Sequence, residues 1–134
     1  MKICCLGDIH YAGSISWLNS LVDSIIDACA GTDVAVIVGD ITSNGSLDCL
    51  HEFLSLLKGA LPVRHVLVIP GNHDIYVMPE EVEEGIDSLK KLQLFNNLVE
   101  NLGCIPLMKR PFILSNVGFI GNIGWYDYSF APSI

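Results

Sequence analysis

A chain of 134 residues that is 51% apolar, with a formal charge of −8 and seven Lys and Arg, is long enough for one domain with a true core and too poor in basic residues to grip nucleic-acid phosphates. No apolar run reaches the ~18 residues of a membrane span, and the amino terminus lacks a signal peptide's long apolar stretch, so the sequence reads as cytoplasmic. Five cysteines, Cys4, Cys5, Cys29, Cys49 and Cys104, are odd in number and lack CxxC spacing, and they read as reduced thiols, adjacent Cys4 and Cys5 as small buried hydrophobes of a strand.

Lys2 to Leu6 predicts a first strand, followed by a turn from Gly7 to Gly13. From about Ser16 to Ala30, the residues Trp17, Leu18, Leu21, Val22, Ile25, Ile26 and Cys29 recur with the rhythm of one buried helical stripe, while Asp23 and Asp27 fall outside it. Ser16 supplies an N-cap and Gly31 a stop. Asp33 to Val38 is dense in Val and Ile, as in a strand buried on both faces, and ends in Gly39-Asp40. A second amphipathic helix follows over Ser46 to Lys58, with Leu47, Leu50, Phe53, Leu54 and Leu57 inward. Arg64 to Ile69 predicts a third strand, stopped by Pro70. Pro79, trailed by Glu80, Glu81, Glu83 and Glu84, marks a helix start that the helix dipole favours, and the helix is predicted to run to about Asn101, weakened near Gly85. Three short strands close the series, Ile105 to Met108, Pro111 to Leu114 and Val117 to Ile120, with a tight turn at Ser115-Asn116. The alternation defines an α/β fold in one continuous domain.

Three polar clusters carry the chemistry: Gly7-Asp8-Ile9-His10, Gly39-Asp40-Ile41 and Gly71-Asn72-His73-Asp74. Each follows a predicted strand, and Asp8, Asp40 and Asn72 stand 32 residues apart. One strand, turn, helix and return takes roughly 30 residues, so the clusters fall on one edge of a parallel sheet, where open α/β folds bind ligands. Asp8 and His10, two apart in an extended turn, can reach one ion. Asp40 on the neighbouring strand can reach that ion and, with its other oxygen, a second, to which Asn72 offers a carbonyl oxygen. Two cations ~3.5–4 Å apart acidify a shared water and clamp a phosphoryl group. His73 is then placed to protonate the leaving oxygen, and Asp74 to orient an imidazole. Taken singly, each cluster reads equally as turn or cap chemistry; their conjunction at three successive strand ends points to a metal site. His51 reads as an exposed helical residue and His65 as a strand opener, not as ligands.

Asp8-Ile9-His10, Gly39-Asp40 with Gly45 after a short loop, and Gly71-Asn72-His73-Asp74 resemble the first three motifs of the calcineurin-like metallophosphoesterases, DxH, GDxxxxG and GNH(D/E), in order. The resemblance spans essentially the whole chain. It implies a phosphatase or phosphodiesterase that uses a metal-bound hydroxide on a phosphoester substrate. Asp8 and His10 would bind the first metal, Asp40 would bridge, Asn72 would bind the second, and His73 would assist the leaving group. The pair would be two divalent ions, Mn, Fe or Zn rather than Ca, because imidazole ligands favour the transition metals. The segment Gly121-Asn122-Ile123-Gly124-Trp125-Tyr126-Asp127 also resembles one found in family members, its aromatic residues reading as packing under the sheet edge or as a substrate-pocket wall.

Family members carry two further motifs, an isolated His and a GHxH, on the second half of a two-sheet sandwich, and no histidine follows His73 in this sequence. The resemblance therefore implies that residues 1–134 are the amino-terminal portion of a four-layer α/β/β/α sandwich: a parallel βαβαβ half plus short carboxy-terminal strands. The first metal would be one protein ligand short and the second two, and one sheet face would lie open, in keeping with the apolar composition. The alternative is a non-catalytic relic, or half of a split enzyme, acting as an interaction module through self-association or a complementing carboxy-terminal half. An unrelated doubly wound nucleotide-binding domain is disfavoured, since no GxGxxG or GxxxxGK[ST] follows a strand.

Overall fold

The computed structural model describes residues 1–124. Four parallel strands, β1 (Ile3–Leu6), β2 (Val34–Val38), β3 (His65–Ile69) and β4 (Ile105–Pro106), form one sheet in the order β1-β2-β3-β4. Between them run α1 (Ile15–Ala28), α2 (Leu47–Ala60), the single turn α3 (Pro79–Glu83) and α4 (Ser88–Asn101). An antiparallel hairpin, β5 (Phe112–Leu114) and β6 (Val117–Phe119), follows β4. Its turn, Ser115-Asn116, has φ of 48° and 64°, the left-handed pair that a two-residue hairpin turn requires.

Every sheet neighbour is also a chain neighbour, and right-handed crossovers then carry all the connecting helices to one face. The side chains agree. Ala35, Ile37, Val66 and Val68 alternate onto that face and pack with Leu18, Val22 and Ile25 of α1, Leu50, Phe53, Leu54 and Leu57 of α2, and Phe95 and Val99 of α4. Val34, Val36 and Leu67 point the other way, into a smaller cluster that contains no helical residue and is completed by Leu107, Phe112, Leu114 and Phe119. The hairpin thus covers the second face over β3, β4 and most of β2, with the rings of His65 and Phe112 5.0 Å apart. Over β1 and the carboxyl end of β2 the same face is open: Ile3 is 43% and Val38 54% exposed, and Cys5 is exposed between them.

Several sequence expectations shift in detail. Cys5 is not a buried hydrophobe, because nothing among the described residues covers its side of β1, whereas Cys29 and Cys104 are buried and burial pushes their thiols up to about 12 and about 11. The first helix begins at Ile15 after Ser14, ahead of the expected Ser16 cap. Trp17 leaves the buried stripe, which runs through Leu18, Val22, Ile25 and Cys29, and stacks at 6.1 Å on the ring of Tyr11. The helix expected from Pro79 to Asn101 is two helices. Gly85 turns left-handed with φ of 75°, and the Asp87 carboxylate accepts from the Lys90 N–H at 2.7 Å to start α4 afresh.

That break is bridged by charge. Lys91 on α4 is 1% exposed and pairs with Glu81 on α3, whose carboxylate also accepts from the Met78 N–H at 3.0 Å. Burial works to raise the Glu81 pKa, but the bond from Lys91 and the Met78 N–H outweigh it and hold the carboxyl below its ordinary value. A depressed folded-state pKa contributes stability that is present above the ordinary glutamate range, near pH 4.3, and is lost as pH falls through the folded value. Glu81→Gln strands the Lys91 ammonium. Because Glu81 is itself partly solvated, the expected cost in urea unfolding at neutral pH is about 2 kcal/mol, below the range for fully buried pairs. The gap between variant and wild type is expected to narrow below about pH 4; a gap constant with pH would show that this pair does not couple folding to protons.

Candidate metal centre

The clusters meet where β1, β2 and β3 end, and backbone pairing holds them there beyond the strands. The Asp8 N–H donates to the Gly39 carbonyl at 3.2 Å, His10 to Asp40 at 2.9 Å, Tyr11 to Ile41 at 2.8 Å and Ser43 back to Tyr11 at 3.1 Å. The two loops therefore continue the β1–β2 ladder as a parallel pair. Buried Tyr11 anchors them from below, its hydroxyl donating to Glu52 at 2.9 Å, and burial followed by that carboxylate pushes its pKa up to about 12.

Asp8, His10 and Asp40 have φ of 52°, 51° and 50°. Asp and His tolerate the left-handed region better than most side chains, yet each such residue costs roughly 1–3 kcal/mol, and such strain gathers at functional sites. Apart from the hairpin turn, these are the non-glycine residues in that conformation among those described. The third cluster is pressed against the second. A Cβ on Gly71 would lie 2.1 Å from Asp40 Oδ1, and one on Gly39 would lie 2.7 Å from the Gly71 nitrogen.

This contact delivers the side chains. Asp40 Oδ1 accepts from the His73 N–H at 2.9 Å, leaving the other carboxylate oxygen for a ligand. One donor atom from each of His10, Asp40 and His73 lies within 4.8 Å of the other two. The two imidazoles meet edge to face with centroids 4.6 Å apart. His73 Nδ1 sits 2.8 Å from the Ser43 carbonyl; a carbonyl can only accept, so Nδ1 carries a proton and the lone pair of the neutral ring falls on Nε2. Asp8 stands at the margin, its carboxylate 87% exposed and 4.0 Å from His10 Nε2. Asn72 is half-buried and its Nδ2 donates to the Tyr76 hydroxyl at 2.9 Å.

Asp74 differs from expectation. Its carboxylate, 1% exposed, accepts from the backbone N–H of Ile41 (3.2 Å), Thr42 (2.8 Å) and Gly71 (2.9 Å) and from the Thr42 hydroxyl (3.1 Å), not from an imidazole. Burial raises its pKa, and those four bonds oppose the rise. The ring it is expected to orient is held by Ser43 instead. Asp74 ties the second and third loops together, and Thr42 extends the tie by accepting from the Gly45 N–H at 3.1 Å. Ser43, Thr42 and Tyr76 carry no motif signal, and sequence reading passes over all three. His51 is exposed on α2 and His65 lies at the opposite end of β3, both away from the centre. Trp125, Tyr126 and Asp127, the second half of the expected aromatic segment, lie outside the described residues.

A family model, calcineurin-like phosphoesterase, matches residues 1–132. The chain belongs to this family. No curated protein matches it. The family's metal dependence fits the residues present in this chain: two imidazole nitrogens and a carboxylate oxygen within 4.8 Å of one another are a donor set that could hold a divalent transition metal.

Proposed function

We propose that this phosphoesterase is a metal-dependent phosphatase or phosphodiesterase, with Asp8, His10, Asp40 and Asn72 holding two divalent cations of the Mn, Fe or Zn class and His73 protonating the leaving oxygen. The observation that carries the reading is the convergence of His10, Asp40 and His73 from three separate loops, under backbone strain at the first two. Bound cations supply charge for the phosphoryl oxygens and acidify water. The chain's own residues do the rest. The Asp40 carboxylate keeps one oxygen on the His73 backbone and offers the other to the site. The Ser43 carbonyl fixes the His73 tautomer, so that Nε2 is the nitrogen that takes up and releases a proton. The free cysteines support a cytoplasmic setting.

A manganese titration and a p-nitrophenyl phosphomonoester or phosphodiester assay test the assignment together. Asp40→Ala is expected to abolish both metal uptake and hydrolysis; hydrolysis indifferent to it refutes the site. His73→Ala is expected to keep uptake and lose hydrolysis. Loss of both assigns His73 as a ligand, the role that its distance to His10 and Asp40 also allows.

A second reading has its own support. The sequence holds no histidine beyond His73, and the sheet face over β1 and the carboxyl end of β2 is open at Ile3, Cys5 and Val38. We propose that further donors reach the site from a complementing carboxy-terminal half, the open face being free to pack on that half or on a second copy of the chain. The interaction-module alternative gains if manganese is bound only when such a half is supplied and no phosphoester is hydrolysed even then.

A further inference from the structure

We propose that Tyr76 is a positioning residue of the metal centre, holding the Asn72 amide so that its oxygen, and not its nitrogen, faces the cation. The inference rests on Asn72 as a ligand, as proposed above. An asparagine ligates through Oδ1 alone, because the Nδ2 lone pair is delocalised into the carbonyl and its protons face outward. The two ends are nearly the same size, so a free side chain presents either. In this chain Nδ2 donates to the Tyr76 hydroxyl at 2.9 Å, which commits the nitrogen and leaves Oδ1 without a hydrogen bond among the described residues. The same ring lies 4.6 Å from the His73 ring, tilted by 44°, so one side chain restrains both the expected ligand and the expected proton donor.

The tyrosine is itself held in place. It closes the short 3-10 turn His73–Ile75, its N–H donating to the His73 carbonyl at 3.4 Å. Its own carbonyl lies so close to Gly45 that a Cβ there would stand 2.3 Å away. The glycine that ends the second motif thus makes room for the backbone of Tyr76, and the tyrosine returns the contact by fixing the third motif. With 42% of its surface exposed, Tyr76 is not a core residue whose loss must unfold the chain. Partners that orient ligating side chains are worth about 10–100-fold in metal affinity.

The test uses the whole chain and Tyr76→Phe, which keeps the ring and removes only the hydroxyl. In the metal-free protein, the Asn72 side-chain NH2 is expected to show chemical shifts displaced from those of a solvent-exposed amide and slowed exchange with water, and both are expected to revert to exposed-amide values in the variant. Manganese affinity by calorimetry is expected to fall about tenfold with the thermal midpoint unchanged, and to fall no further when Tyr76→Phe is added to Asn72→Ala. Asn72 resonances indifferent to Tyr76→Phe overturn the proposal. So does a variant that loses affinity only in step with its thermal midpoint, which marks a merely structural residue. If Asn72→Ala weakens binding while Tyr76→Phe binds as wild type, the role of Tyr76 alone fails. If wild type takes up no manganese, or Asn72→Ala binds as wild type does, the ligand assignment fails and this inference goes with it.

Discussion

Gly71→Ala is expected to cost the protein about 3 kcal/mol or more and to remove manganese binding, although position 71 contributes no donor atom. The added methyl would stand 2.1 Å from Asp40 Oδ1 and 2.5 Å from the Asp40 nitrogen. No carbon approaches a carboxylate that closely, so either the third loop retreats from the second or Asp40 turns away. Retreat breaks the His73 N–H bond to Asp40 and the Gly71 N–H bond to Asp74. Turning away withdraws the expected bridging carboxylate. Ordinary overpacking costs about 1–3 kcal/mol, and here lost hydrogen bonds add to it. Urea unfolding and calorimetric titration of the same preparation check both halves, and a variant of wild-type stability that still binds metal would show that the two loops are not locked at this contact. Gly59→Ala is the control, since an added Cβ there meets nothing within 4 Å.

Asp74→Ala ranks beside it. The carboxylate satisfies three backbone N–H groups and one hydroxyl in a buried pocket, and each group orphaned there costs about 1–3 kcal/mol. The Thr42 hydroxyl can rotate and part of the loop can hydrate, so the expected total is about 3–5 kcal/mol, or a fall of roughly 10–20 °C in Tm. Asn in the same place is expected to recover little. An amide keeps one accepting oxygen and turns an NH2 toward donors that need an acceptor. Differential scanning calorimetry of the wild type and both variants decides the matter: a fall in Tm of only a few degrees would mean that the loops are held by the strands beneath them and not by Asp74.

The fold and the donor types were legible in the sequence because both depend on short-range pattern. Dense Val and Ile runs at even spacing, each closed by Gly-Asp or Gly-Asn-His, suffice to place Asp8, His10, Asp40, Asn72 and His73 on one edge of one sheet. What the pattern does not encode is which atoms meet. Asp74 adjoins the imidazole of His73 in sequence, yet three of its four bonds reach back to residues 41 and 42, more than 30 positions away. Tyr76 has no motif, and its place follows from the 3-10 turn, which no periodicity announces. Trp17 fits the helical rhythm but sits one position off the stripe that the sheet covers. Cys5 alternates correctly along β1, but its exposure depends on how far the distant β5–β6 hairpin extends across the sheet. Gly85 signals the weakness between α3 and α4; that the weakness is a complete break depends on Asp87 capping a new helix and on Lys91 reaching Glu81.

The sheet order β1-β2-β3-β4 has a consequence for biosynthesis. Each strand pairs with the one made just before it, so a nascent chain leaving the ribosome can dock its strands one at a time, without holding an edge open for a distant segment. Asp8, His10 and Asp40 would be in register as soon as β2 emerges, strained and waiting, while the third loop is still in the exit tunnel. The site would close when Gly71 slides against Asp40, the last of the three loops to arrive.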